Sequence, residues 1–147
     1  VKAKQAGECF ESGFSCSQAV FTVFAEELGL DKNTALKISS AFCGGMAGTA
    51  NVCGAVTGGL MVIGLKYGRI KDDDIETKEK TNEISREFMN KFLESKDSII
   101  CKELLGVDIS KPEGKEYVQK NNLRHECCTK LVETAAEIIE EILNTRK

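Results

Sequence analysis

Residues 38–65 read ISSAFCGGMAGTANVCGAVTGGLMVIGL, twenty-eight positions without a single charged side chain. That length meets the criterion for a membrane-spanning helix. Glycines 44, 45, 48, 54, 58, 59 and 64 break the run, and Thr49 and Asn51 sit near its middle. The stretch therefore reads as a buried loop followed by a central helix over about 52–67, wrapped by other helices. Gly54 with Gly58, and Ala55 with Gly59, are small-residue pairs at four-residue spacing, which lets neighbouring backbones come close. Leu60, Met61 and Ile63 are expected to face the core. The chain is expected to be water-soluble, not an integral membrane protein.

Upstream, residues 2–12 form a short polar helix ended by Gly13. Ser15-Cys16-Ser17-Gln18 is a capping box, in which Ser15 and Gln18 satisfy each other's backbone donors. It opens a helix over about 16–28 with Val20, Phe21, Phe24 and Leu28 as its apolar stripe. Asp31 caps a third helix over about 32–43, with Ala35, Leu36, Ile38, Ala41 and Phe42 inward. Downstream, Lys71-Asp72-Asp73-Asp74 supplies an N-cap for a long amphipathic helix over about 75–95, with Ile84, Phe88 and Phe92 on one face. Ser98 caps a short helix carrying Cys101, Leu104 and Leu105, ended by Gly106. Ser110-Lys111-Pro112-Glu113 reads as a second capping box with proline just inside. The last helix runs over about 125–143, with Leu131, Ala135, Ile138 and Ile142 inward. The expectation is all-α: one compact domain spanning residues 1–147, with six to eight helices around a Gly/Ala-rich central helix.

A chain of 147 residues can build a core without metal or disulfide staples. Its 20 Lys and Arg against 23 Asp and Glu form no basic block that would neutralise phosphates, so no nucleic-acid partner is expected. Trp is absent and aromatics are 6%, too few for stacking platforms. The anomaly is seven cysteines. An odd count with no cleavable leader after Val1 argues for a cytoplasmic protein with reduced, metal-bound or catalytic thiols rather than a secreted disulfide framework.

Four helix starts each offer a thiol. Cys53 follows a glycine-rich turn and opens the central helix, where free N–H groups and the macrodipole favour a thiolate. That setting suits a nucleophile, a redox thiol or a metal ligand, and Gly54 and Gly58 would let a cofactor approach. Cys16 opens the second helix, Cys101 lies in the first turn after Ser98, and Cys127 and Cys128 stand near the start of the last helix. If these starts converge, they form a four-thiol site. There is no Cys-x-x-Cys pair, which excludes a zinc ribbon and a thioredoxin-like motif. His125, two residues before Cys127, reads as a solvated cap.

The chain resembles the family of redox-active proteins named for its C-GCAxxG-C-C cysteine pattern. The residues that carry the resemblance are Phe14-Ser15-Cys16-Ser17-Gln18-Ala19-Val20, Cys53-Gly54-Ala55-Val56-Thr57-Gly58, Cys101-Lys102-Glu103-Leu104-Leu105-Gly106, and Cys127. The resemblance implies an all-helical domain whose four family cysteines map to Cys16, Cys53, Cys101 and Cys127. Similar domains accompany split-Soret-type cytochromes, which implies an iron–sulfur cluster or electron transfer. Cys9 and Cys43 lie outside the pattern, although Cys43 is near enough in sequence to serve as a fifth thiol.

Two functions follow as expectations. The first is a redox-active protein, an oxidoreductase or electron carrier, in which Cys16, Cys53, Cys101 and Cys127 hold an iron–sulfur cluster or cycle as a dithiol. It would work with a redox partner protein. The alternative is a metal-ion or small-molecule binding module, of a kind that could accompany a transporter, whose thiols hold zinc or a soft metal without redox turnover. Apolar helix faces would allow a homodimer.

Overall fold

A computed structural model describes residues 1–146. Eight α-helices occur among the described residues: α1 (Lys2–Glu11), α2 (Cys16–Ala25), α3 (Lys32–Ser39), α4 (Gly54–Tyr67), α5 (Ile75–Lys96), α6 (Cys101–Leu105), α7 (Pro112–Lys120) and α8 (Thr129–Thr145). A 3₁₀ turn, Ser40–Phe42, extends α3, and a π-helical turn, Arg124–Cys128, leads into α8. The described residues contain no strand, only an isolated antiparallel bridge between Val52 and Ile100.

The expected central helix is α4, which packs against α2, α5 and α8. Its glycines make those approaches possible. A Cβ on Gly58 would stand 2.8 Å from the Ser17 carbonyl oxygen and 3.1 Å from the Val20 Cβ, and one on Gly59 would collide with the Phe88 ring. α4 thus turns one glycine face to α2 and another to α5. Phe24, Val56, Ile63, Phe88, Phe92 and Ile139 are fully buried around it, and each such side chain contributes about 1.5–3 kcal/mol when removed from water.

Local capping explains several boundaries. The Ser15–Gln18 capping box is formed in full, and Asp31 and Asp74 accept from Thr34 and Thr77 backbone N–H groups. The second proposed box is not made. The Ser110 N–H and hydroxyl both turn to the Asp108 carboxylate, and α7 starts on Pro112 without a side-chain cap. This is the usual competition of short polar side chains for local backbone partners. Ser98 likewise accepts from Ile100 N–H and donates to Glu103, so it braces the turn before α6 rather than capping the helix.

Residues 38–65 are less buried than expected. Ile38, Ala41, Met46, Ala47, Thr49 and Asn51 are exposed, as are Gly64 and Leu65, and Leu60 and Met61 are only half-buried. At the end of α3 the Ser39 and Ser40 hydroxyls bond back to the Ala35 and Leu36 carbonyls, and the chain passes into the 3₁₀ turn in which Ala41 is exposed. The lack of charge in this stretch reflects glycine-rich backbone more than core packing. No helix among the described residues is long and apolar enough to cross a membrane.

A candidate thiol-lined redox site

The chain brings its helix starts together by identifiable local devices. The Ser15 box fixes Cys16 as the first residue of α2, and Cys53 is the N-cap of α4. Residues 50–53 lie antiparallel to 99–102. Cys53 N–H donates to Ile99 at 2.8 Å, and Cys101 N–H donates to the Asn51 carbonyl at 2.6 Å. This tie places the start of α6, at Cys101, beside the start of α4. Opposite them, the π-helical turn carries Arg124 and Cys128 to the entrance of α8. Such turns are frequent at functional sites.

Between α3 and α4 the backbone makes a left-handed turn. Gly44, Gly45, Met46, Ala47 and Gly48 all have positive φ, between 54° and 73°. At Gly45 the requirement for glycine is steric as well, because a Cβ there would stand 2.5 Å from the Asn51 nitrogen and 2.7 Å from the Cys101 Cβ.

These elements enclose a cavity of about 180 Å³ lined by five thiols, those of Cys16, Cys43, Cys53, Cys101 and Cys128, together with Arg124 and a largely apolar wall. Cys16, Cys53 and Cys101, distant in sequence, thus share one cavity. The vicinal cysteine on its wall is Cys128. Cys127 instead directs its Sγ to the Leu104 carbonyl at 3.6 Å. Gly54 lines the cavity while touching Cys16 and Ser17, whereas Gly58 lies one turn further along α4 against Ser17 and Val20. Cys9 lies elsewhere, 3.9 Å from the Thr22 hydroxyl. His125 pairs with Glu11 at 2.7 Å with its side chain 60% exposed, and it contributes nothing to the cavity wall.

The thiols are electrostatically unlike. The neighbouring Cys128 thiol, with burial, pushes the Cys16 pKa well above the usual thiol value. Cys128 is shifted the other way by its Cys16 neighbour and the Arg124 charge, against burial. Burial pushes Cys53 up to about 11, although the Ala55 and Val56 N–H groups favour its thiolate. The helix-start donors expected at Cys53 are therefore present, but desolvation outweighs them. Burial, then the neighbouring Cys53 and Cys128 thiols, pushes Cys101 up to about 12. Of these four thiols, Cys128 alone is shifted toward the thiolate.

Arg124, which the sequence reading did not single out, lines the cavity with Cys128, whereas Cys127 does not. Arg124 and Cys128 are four residues apart, a spacing that puts two side chains on one helical face. All seven thiols are free. Thiolate donors suit iron and zinc chemically, but among the described residues no three His, Cys, Asp or Glu side chains are grouped to hold one metal ion.

A family model described as putative redox-active protein (C_GCAxxG_C_C) matches residues 14–142. The chain belongs to this family. In this member of the C_GCAxxG_C_C family, the matched region runs from just before Cys16 into α8 and so contains all five cavity thiols. No curated protein and no solved structure matches the chain.

Proposed function

We propose that the protein is a dithiol–disulfide redox protein whose exchanging pair is Cys128 and Cys16. The observation that carries this is that both thiols stand on the wall of one cavity together with the Arg124 charge. Cys128, which Arg124 favours as thiolate, is the attacking sulfur. Cys16 is the resolving sulfur. Oxidation forms the Cys16–Cys128 bond and releases two electrons and two protons overall, counting both thiols as protonated at the start. The thiols of Cys53 and Cys101 line the same cavity, and a reducing partner protein returns the pair to the dithiol.

The test is mild stoichiometric oxidation of the reduced chain, followed by alkylation and peptide mapping. A Cys16–Cys128 link is expected. A link confined to other cysteines overturns the assignment. An iron content and a visible absorption band in anaerobically purified protein would replace it with the cluster reading, in which thiolates from several walls of the same cavity hold iron and sulfide.

A further inference from the structure

We propose that the cavity admits small organic hydroperoxides and reduces them to alcohols, a substrate class that rests on the Cys16–Cys128 reading above. Three features of the cavity point to it. The wall is apolar around the thiols, built from Phe10, Leu104, Leu105, Ile109, Val118 and Leu131, which suits an uncharged molecule with a hydrocarbon tail. The left-handed turn at 44–48 leaves the N–H groups of Gly44 and Gly45 with no hydrogen bond among the described residues. Both glycines line the same cavity as the thiols, and Gly45 is buried, so its N–H is a donor without an acceptor, a condition that native interiors rarely leave unmet. Arg124 adds a fixed positive charge on the same wall.

Donors and a cation beside a nucleophilic sulfur are what a departing oxygen anion requires. Acyl transfer uses the same parts but also a general base to activate the acceptor. The cavity wall carries no His, Asp or Glu, and the single histidine is engaged with Glu11 at the surface. Peroxide reduction needs no such base when the attack comes from the thiolate form that Arg124 favours at Cys128, and it needs a second thiol, which Cys16 supplies.

The step balances. The Cys128 thiolate attacks the terminal oxygen of R–O–O–H, forming an S–O bond and breaking the O–O bond. Cys128 becomes a sulfenic acid, and the alkoxide leaves toward the Gly44 and Gly45 N–H groups. The alkoxide takes the Cys16 thiol proton to give the alcohol. The Cys16 thiolate then attacks the Cys128 sulfur, forming the disulfide and expelling hydroxide, which takes a proton from solvent to leave water. The peroxide is reduced by two electrons and the dithiol oxidised by two, and the reducing partner protein resets the pair.

The experiment is single turnover of the reduced 147-residue chain with cumene hydroperoxide, quenched by acid and read by peptide mapping and by cumyl alcohol released. One alcohol and one Cys16–Cys128 disulfide per chain are expected, roughly a hundredfold faster than with free cysteine, the scale of an oxyanion donor's effect. In Cys16→Ser, the Cys128 sulfenic acid should persist and react with dimedone. A disulfide-type oxidant is run in parallel. If it forms the Cys16–Cys128 link while cumene hydroperoxide reacts no faster than with free cysteine, the hydroperoxide proposal is overturned and the dithiol reading stands. If neither oxidant forms the link, both fall.

Discussion

The guanidinium carbon of Arg124 lies 3.8 Å from the centre of the Phe10 ring, and the same group donates to the Phe10 and Phe14 carbonyls at 2.9 and 2.7 Å. One side chain thus ties the end of α1 and the turn before α2 to the π-helical turn that carries Cys128. Hydrogen bonds to charged groups are worth about 1.5–3 kcal/mol each and a cation–π contact about 0.5–2. Arg124→Met, which keeps the stem and loses the charge, should lower stability by about 2–4 kcal/mol in urea unfolding. It should also raise the Cys128 pKa, read from the pH dependence of alkylation. An unchanged urea midpoint would show that the tie does not hold the turn.

The glycines of α4 give an opposed pair of expectations. At Gly58 an added methyl meets the Ser17 carbonyl and Val20 at close range, whereas at Gly64 it meets nothing within 4 Å. Gly58→Ala should therefore destabilise the protein by about 1–3 kcal/mol through overpacking. Gly64→Ala, on the exposed face of the same helix, should stabilise it by about 0.5–1 kcal/mol by improving helix propensity. Thermal unfolding of the two variants should move in opposite directions. Movement in the same direction would contradict the close α2–α4 approach.

Much of this architecture is legible from sequence because it is local. The Ser15–Gln18 box, the Asp31 and Asp74 caps and the Ile84, Phe88, Phe92 stripe each follow from spacing alone, and each is found. What was not legible depends on the third dimension. The pairing of 50–53 with 99–102 joins segments about fifty residues apart through backbone groups, which carry no sequence signature. The choice of Cys128 over Cys127 turns on the register of a π-helical turn, where the wider winding shifts which side chain faces inward. The exposure of Ala41 and Met46 arises from a left-handed turn that an uncharged sequence does not announce.

Stability should fall in alkaline solution. Cys53 has its pKa raised to about 11 and Cys101 to about 12 by burial, against about 8.5 for a free thiol. Below the unfolded value both states hold the proton and the contribution to stability is full. Between that value and the folded one, the unfolded chain loses protons that the folded chain keeps, so stability declines by about 1.4 kcal/mol per pH unit for each such group. Urea midpoints of the reduced protein should drop steadily from pH 9 to pH 11. Cys53→Ala should make that slope shallower, whatever it does to the midpoint at pH 7. Parallel slopes in the variant and the parent would count against a buried, protonated Cys53.

The left-handed turn stores strain that glycine can release. Ala47 has φ 54° and is exposed, so its methyl group packs against nothing that would compensate. Left-handed backbone costs a non-glycine residue about 1–2 kcal/mol, and the extra unfolded-state freedom of glycine offsets part of the gain. Ala47→Gly should therefore stabilise the protein by about 0.5–1 kcal/mol, measured by chemical denaturation. A loss of stability would mean that the turn's conformation is not set by residues 44–48.

The final expectation concerns which thiol reacts first. A thiol at a helix start would ordinarily be the reactive one, and Cys53 has that position with N–H donors from Ala55 and Val56. Its side chain is nevertheless enclosed, at 4% exposure, and desolvation raises its pKa from 9.0 to about 11. Each unit reduces the thiolate fraction about tenfold near neutral pH, so about one hundredth of the ordinary fraction remains. Cys128 stands on the cavity wall with its pKa lowered by its Cys16 neighbour and by Arg124. Iodoacetamide at pH 7.5 should therefore modify Cys128 at least about a hundredfold faster than Cys53 in the folded, reduced protein, followed by mass spectrometry of the peptides over time. In urea the two rates should converge, since the burial and the influence of Cys16 both vanish. Cys53 labelling at the pace of Cys128 in the native state would sink the assignment of Cys128 as the attacking sulfur.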